Sequence, residues 1–593
     1  MKTDAMAFRV SAATLIAVCG VAMADDTSTG AAGIRSRGLG LTGNGVSIGQ
    51  VETGRPGRTG LDANGEWYWD VNGSGTWQAG EKFIDLDGNG AYSAGWLNAH
   101  PDVQPTGVFS RNNAANGAPA LLPLPQPAGP WAFETFAQYN SFDWAVTHPQ
   151  LRNHPMEVAS VMIANGAANK GVAPGASLYS GAMGIGASED DALITTQRVQ
   201  LAGNTRAINH SYGFGPQANA DGLTKLSLGI DYLATSHRTL HVVAGDETQA
   251  RPSNPGSPSD AYNVMNVGST TLEGGIFSRV SNFNITTIGS GGRRTVHIVA
   301  PGEDINMAQW GTGGYGLNSG TSFAAPHVTA VSALLQERGN AIHFDTSYRD
   351  HRLQKAVIMN SADKIKDDGT RAPLGALLGM DKTILDRSGN DWFSSEANFS
   401  DAIPLDDQMG VGQLNAARAL QQFNGGEYNP DFNANMGGRG NIPLIGWSDG
   451  LTSGTGNSYR YTFAPTLTLG SFISITLCWD RIVSLGDTNN DHLFTAGENF
   501  AVTGLANLSL FLERDYGGNN WGIVEQSISG VDNTEHIFAR IAGTGRYRIR
   551  VEHTGGLNGF TDYGLAWWTV PAPGTVGLLA AGLTLVSRRR RQR

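Results

Sequence analysis

Cysteine is nearly missing. The 593-residue chain has two, and Cys19 sits in a stretch that reads as an export signal. Cys478 is then the only mature cysteine, which excludes an intrachain disulfide. Stability must come from packing or from bound ions. Charge is also scarce, at 16% of residues. The formal net charge is -11, and five arginines fall within the last six residues, so setting those five aside takes it to -16. That balance offers no basic face for nucleic acid. What the chain has in quantity is glycine, 79 residues of it, and with so little charge this reads as a loop-rich globular protein of the exported kind.

Both ends have their own character. Lys2 and Arg9 precede an apolar stretch, and Ala22-Met23-Ala24 fits a cleavage site, so residues 1–24 read as a signal peptide. The other end, "VPAPGTVGLLAAGLTLVSRRRRQR", has an apolar run from Gly574 to Val586 that is short for a full membrane span. Its arginine run would stay on the cytoplasmic side. Residues 569–593 resemble the PEP-CTERM sorting tail of bacterial envelope proteins, with Ala572 where that motif usually has Glu. The resemblance implies export, handling by the envelope's sorting machinery, and only transient membrane contact before the tail is removed. A plain membrane anchor is the other reading.

Between these ends the pattern changes twice. "VSIGQVETG" reads as a buried strand ending in a turn. Residues 55–150 are rich in Gly, Asn, Asp, Pro and Trp with little periodicity, and read as a long insertion. From "HPMEVASVMIANG" onward, helical and strand patterns alternate. "RAINHSYG" and "TLHVVAGD" are strand-like, with the helical "LTKLSLGIDYLATSH" between them. Such alternation predicts an α/β fold with a mostly parallel sheet. After "GVGQLNAARALQQF", short runs such as "FISITLCWD", "LSLFLER" and "YRIRVEH" are separated by Gly/Asn turns, which predicts an all-β sandwich.

One stretch poses a chemical question. In "YGLNSGTSFAAPHVTAVSALLQE", Ser322 precedes an apolar pattern at Val328, Val331, Leu334 and Leu335 that suits a buried helix. A serine there can simply cap the helix. Pro326 fits the first turn, where N–H groups have no partner inside the helix. The same place suits a nucleophile, because a helix N-terminus offers free N–H groups and partial positive charge to a developing oxyanion.

Four separated stretches decide between these readings. "GNGVSIGQVETG", "NHPMEVASVMIA", "LHVVAGDE" and the Gly-Thr-Ser-x-Ala-Ala-Pro-His segment around Ser322 together resemble the subtilisin-like serine peptidases over most of residues 40–425. The resemblance implies a subtilisin-like domain at 25–428, followed by the β-sandwich at 429–568. It makes Ser322 the nucleophile and His154 its base, in the order acid, His, Ser. His148 and His210 are the other local histidines, but neither leads the Val-Ala-Ser helix pattern.

Two positions depart from the family. The acid is Glu52 where Asp is usual, and Asp246 stands where an Asn usually donates to the oxyanion; only a protonated Asp could do so. A substrate would lie extended along Ser211, Tyr212 and Gly213 and along Ala244 and Gly245, paired strand-fashion, with Gly320 and Thr321 beside the nucleophile. The implied activity is secreted serine endopeptidase, acting on protein or peptide substrates. The alternative is a surface binding or structural protein on a decayed peptidase scaffold.

Three loops carry oxygen ligands at alternating positions. "DVNGSGTWQAGE" supplies Asp70, Asn72, Ser74, Thr76 and a twelfth-place Glu81, close to EF-hand loop spacing. "DLDGNGAYSAGW" has Asp85, Asp87 and Asn89 but ends in Trp96. "DTNNDHLFTAGE" has Asp487, Asn489, Asp491 and Glu498. Structural Ca2+ is the expected cofactor.

Overall fold

A computed structural model describes residues 40–56, 78–79, 102–111, 131–135, 151–166, 169–183, 187–217, 219–245, 255–273, 276–280, 288–308, 314–343, 346–366, 383–431 and 441–570. Residues 1–39 and 571–593, Asp246, His148 and the candidate ligands of both loops between Asp70 and Trp96 lie outside these residues.

The first region is α/β, as the alternating pattern predicts. Its main sheet contains β1 (Ser47–Glu52), β2 (Gly107–Arg111), β3 (Trp131–Thr135), β4 (Ser177–Ala182), β5 (Ala207–His210), β6 (Leu240–Ala244), β7 (Val264–Glu273), β8 (Ile276–Arg279), β9 (Ile298–Pro301) and β10 (Thr383–Leu385). The order is β10-β8-β7-β6-β5-β1-β4-β2-β3, with β9 also paired to β7. Its centre is parallel, β4 to β1 to β5 to β6 to β7. Among the described residues only β7–β8 and β2–β3 of this sheet are antiparallel. Central strands such as β5 and β6 are buried at every position, which is why they read as continuous runs rather than alternations.

Helices cover both faces. On one face lie α1 (Asn153–Ile163) and the long α4 (Thr321–Ile342). Valines and leucines at the expected positions of α4 are fully buried, and its alanines lie against the same core. On the other face lie α2 (Glu189–Ala202), started by a Ser188–Asp191 capping box, and α3 (Lys225–His237), capped by Thr224. Each cap satisfies N–H groups that a helix start leaves without partners.

The second region is a β-sandwich. One sheet runs β11 (Asn441–Ile442), β13 (Ser458–Phe463), β19 (Tyr547–Gly556), β16 (Phe500–Asp515), β15 (Arg481–Leu485), with β17 (Trp521–Ser527) on β16. The other runs β12 (Ile445–Thr452), β20 (Thr561–Val570), β14 (Phe472–Trp479), β18 (Thr534–Arg540). Their inner faces share one core, including Tyr461, Ile475, Leu510, Ile549 and Trp567.

The two regions meet along α5 (His351–Asn360), which packs on β14 and β20 and is buried at every residue. Gly564 of β20 lies so close to the Arg352 backbone that a Cβ would collide with it. Several polar groups at this seam are paired, although Asn360 Nδ2 and His351 Nδ1 have no hydrogen-bond partner among the described residues. Asn360 Oδ1 accepts from Ser474 (2.7 Å) and Thr476 (3.0 Å). Arg352 donates to both oxygens of Asp350 and lies 3.5 Å from Asp480 and 3.2 Å from Asp562. Arg481 Nε donates to Asp231 at 2.7 Å. Cys478 is a buried free thiol within β14. Among the described residues no helix is long and apolar enough to cross a membrane.

Candidate active site

The candidate site residues collect at the C-terminal ends of the parallel strands, the usual place for a site in an open α/β sheet. Glu52 is the last residue of β1 and is fully buried. His154 is the second residue of α1, with Pro155 in that helix's first turn as expected. The two are 102 positions apart in sequence, yet His154 Nδ1 and Glu52 Oε2 lie 3.0 Å apart. The extra methylene of Glu relative to Asp is accommodated within an ordinary hydrogen bond. Burial pushes the Glu52 carboxyl above its usual pKa range, against the opposing charge and hydrogen bond of His154. Glu52 Oε1 has no hydrogen-bond partner among the described residues.

Ser322 does not cap its helix. Gly320 occupies the cap position in an extended conformation, and Ser322 is the second helical residue. Its neighbour Phe323 places its ring 5.5 Å from that of His154, so the starts of α1 and α4 face each other. Thr321 Oγ1 donates to Gly245 O at 2.6 Å, and Gly320 N–H to Gly302 O at 2.7 Å. These bonds fix the turn that delivers the serine.

Pro326 lies beyond the first turn, contrary to the sequence reading. A residue with an N–H there would donate to the carbonyl four positions back, that of Ser322. Instead the Ser211 hydroxyl donates to Ser322 O at 2.7 Å. The proline removes one helical bond, and a side chain from the neighbouring strand's end replaces it.

The proposed substrate edge lies at the ends of β5 and β6. Ser211, Tyr212 and Gly213 follow β5, with Gly213 exposed and Tyr212 packed towards Val51 and Phe214. Ala244 and Gly245 end β6. Gly245 is engaged internally: its N–H donates to Val267 O (2.8 Å) and its carbonyl accepts from Thr321. Ala244 O accepts from Ser259 (3.1 Å). Gly245 therefore acts as an anchor for α4, a role the sequence does not suggest.

His210 is on the other face of the sheet. Its Nε2 lies 2.9 Å from His241 Nδ1, and burial pushes its pKa down to about 3. Sequence reading also passes over Gln50 and Asn209. Both are fully buried, and they are Cα partners on β1 and β5. A polar residue inside an apolar strand is the only signal either one gives.

The third oxygen-rich loop is described and hydrogen-bonds itself. Asp487 accepts from His492 N–H, Asn489 from Asp491 N–H and Asp491 from Leu493 N–H. Hard oxygens from Asp487, Asn489 and Asp491 suit a cation such as Ca2+. Glu498 departs from EF-hand geometry, since both its oxygens take N–H donors, from Thr488 and Thr495 at 2.8 Å each. Among the described residues no three His, Cys, Asp or Glu side chains converge as a metal site. The loop is docked on the α/β region: Phe494 exchanges two bonds with Gln197 of α2 and is buried in a cluster containing Tyr212 and Phe214.

Fold and site together have the form of an α/β serine hydrolase. More specifically, the chain belongs to the subtilase family of S8 peptidases, whose family model matches residues 43–376, more than half its length. It is 30% identical over 187 residues to subtilisin NAT of Bacillus subtilis subsp. natto, covering 31% of this chain and 45% of that protein. It is 35% identical over 119 residues to an extracellular basic protease of Dichelobacter nodosus, covering 19% of this chain and 18% of the relative. The chain thus matches less than half the length of these curated relatives. Among solved structures, proteases from Pseudoalteromonas arctica align over 65% of this chain and 91% of theirs, at 17% identity and a TM-score of 0.35.

Proposed function

We propose that this protein is an exported serine endopeptidase acting through Ser322, His154 and Glu52. The observation that carries the reading is the 3.0 Å contact between His154 Nδ1 and the buried Glu52, at the start of the helix facing Ser322's helix. A carboxylate on Nδ1 fixes the tautomer that leaves Nε2 to act as base.

In this mechanism Ser322 Oγ attacks the peptide carbonyl carbon and passes its proton to His154. The oxyanion forms by the N-terminus of α4, where the Ser322 N–H is available in the first turn. His154 then protonates the leaving amine, giving an acyl-enzyme on Ser322. Water attacks in the second half, again with His154 as base, and the acid product leaves. Glu52 keeps its charge throughout and stabilises the transient imidazolium. Asp246, following Gly245, would serve the oxyanion only when protonated.

Protein or peptide chains are the substrates of this reading, laid along Ser211–Gly213. Calcium at Asp487, Asn489 and Asp491, and at the loop from Asp70 to Glu81, would supply structural staples that the missing disulfides do not. Export rests on the N-terminal signal pattern, and its relatives include an extracellular protease by name. The tail supports sorting at the bacterial envelope. Casein digestion with and without calcium, beside Ser322→Ala, tests the reading. Wild type should digest casein and the variant should not. Equal digestion by both would remove Ser322 from its role, and no digestion by wild type would favour a decayed binding protein.

A further inference from the structure

Two amide side chains beneath the site each end at one of the two facing helix starts. Gln50 Nε2 donates to Pro155 O at 3.1 Å, one residue after His154, and to Ser180 Oγ at 2.9 Å. Asn209 Nδ2 donates to Ser211 Oγ at 2.8 Å, and the Ser211 hydroxyl passes on to Ser322 O at 2.7 Å. Gln50 and Asn209 lie side by side as Cα partners on adjacent parallel strands. Both are fully buried, and Gln50 Oε1 and Asn209 Oδ1 have no hydrogen-bond partners among the described residues.

We propose that Gln50 and Asn209 are a pair of positioning residues that sets the separation between His154 and Ser322. This rests on the serine-peptidase reading above. Their orientations follow from their partners. Pro155 O and the Ser211 lone pair are acceptors, so each amide must present its nitrogen to them. That choice turns both amide oxygens away from any donor, which burial makes costly. A leucine or methionine at either place would avoid this cost while giving up the hydrogen bonds to Pro155 and Ser180 or to Ser211.

The Asn209 arm cannot be replaced from within its helix. Pro326 provides no N–H for Ser322 O, so the Ser211 hydroxyl is what holds that carbonyl. The Gln50 arm holds the first turn of α1 against the same strand that carries Glu52. Strand β1 thereby fixes His154 twice, once through the imidazole and once through the backbone beside it. Both arms end on main-chain atoms next to the reacting side chains. Small shifts there act on nucleophile–base alignment, and the Asn209 arm reaches Ser322 through the hydroxyl of Ser211, at the start of the substrate edge.

The test is the second-order rate of fluorophosphonate labelling, normalised to folded protein by circular dichroism, alongside kcat and KM on one peptide. Gln50→Met removes both donors and the unpaired oxygen at nearly constant volume. It should fold with equal or higher Tm, label about 10- to 10²-fold more slowly, and lose kcat in parallel with KM within twofold. Asn209→Leu cuts the other arm while leaving the Ser211 hydroxyl in place, and should slow labelling similarly, which keeps the test open if Gln50→Met does not fold. Wild-type labelling rates in both variants, with only Tm changed, would overturn the inference while leaving the peptidase reading intact. Failure of wild type to label, or undiminished labelling of Ser322→Ala, would overturn the reading itself and the positioning role with it.

Discussion

Glu52 and Asp350 are both fully buried carboxylates, yet they are treated in opposite ways. At the seam, Asp350 receives the Arg352 backbone N–H at 3.0 Å, Nε at 2.9 Å and a terminal guanidinium nitrogen at 2.6 Å. Burial alone would raise its pKa, but the charge and hydrogen bonds of Arg352 hold it well below the ordinary carboxylate range. At the site, Glu52 has a single 3.0 Å partner, one oxygen without any among the described residues, and a raised pKa. The seam saturates its charge and the site does not. A structural carboxylate is most useful when every lone pair is met. A carboxylate that must stabilise a transient imidazolium is most useful when that partner is its main one.

The signs of their pH dependence differ accordingly. The folded pKa of Asp350 is depressed, so its contribution is complete above the usual carboxyl value. It is lost as pH falls below about 4. The folded pKa of Glu52 is raised, so ionising it costs stability as pH climbs from the usual value through the raised one.

The sharpest way to test the contrast is Glu52→Gln. It should lower kcat by about 10⁴-fold, because the imidazole loses both tautomer control and charge stabilisation. Tm at pH 7 should be unchanged or higher, since a buried charge has gone. A Tm drop of several degrees would show that Glu52 is a seam-type carboxylate after all.

Arg352→Met should do the reverse. Asp350 and Asp480 would be left buried without their guanidinium, at a cost of about 3–5 kcal/mol. Urea unfolding at pH 7 reads this, and the difference from wild type should shrink below pH 4 as Asp350 protonates. The folded fraction should keep kcat within about threefold. A stability loss under 1 kcal/mol would mean that the seam's pairing is not what joins the regions.

Asp246→Asn comes next. A donor that needs no proton should raise kcat at pH 8 by up to about 10²-fold and extend the profile to higher pH. A fall in kcat at every pH would place Asp246 outside the oxyanion site.

The smallest effect belongs to the ion loops. A chelator should lower Tm by a few degrees, since an ion held only by the folded state stabilises it by mass action. Asp491→Ala should reduce that sensitivity. Phe494 joins this loop to the cluster under Tyr212, so chelation should also raise KM modestly. An unchanged Tm would argue against calcium at these loops.

Much of this arrangement is readable from sequence because it depends on local pattern. The alternation around "RAINHSYG" and "TLHVVAGD" yields the parallel strands β5 and β6, and the short runs after residue 430 yield the sandwich. Ser322 and His154 stand out through motifs that also shape their helices. Other features depend on distance in space. Nothing within "SIGQVE" says that Gln50 will reach Pro155, or that Asn209 will be its neighbour. Pro326 reads as a first-turn proline until the helix start is seen at Thr321, and only then does the Ser322 carbonyl need Ser211. The same limit applies to the seam, because Arg352 meets Asp480 and Asp562 only once the sandwich has folded against α5.

Mapping the covalent adduct tests the role of Ser322 most directly. Wild-type protein would be treated with a fluorophosphonate at pH 8, digested, and sequenced by mass spectrometry. One modified site is expected, Ser322, with no adduct in His154→Ala. An adduct on another serine such as Ser319, or one on Ser322 that forms as fast without His154, would contradict it.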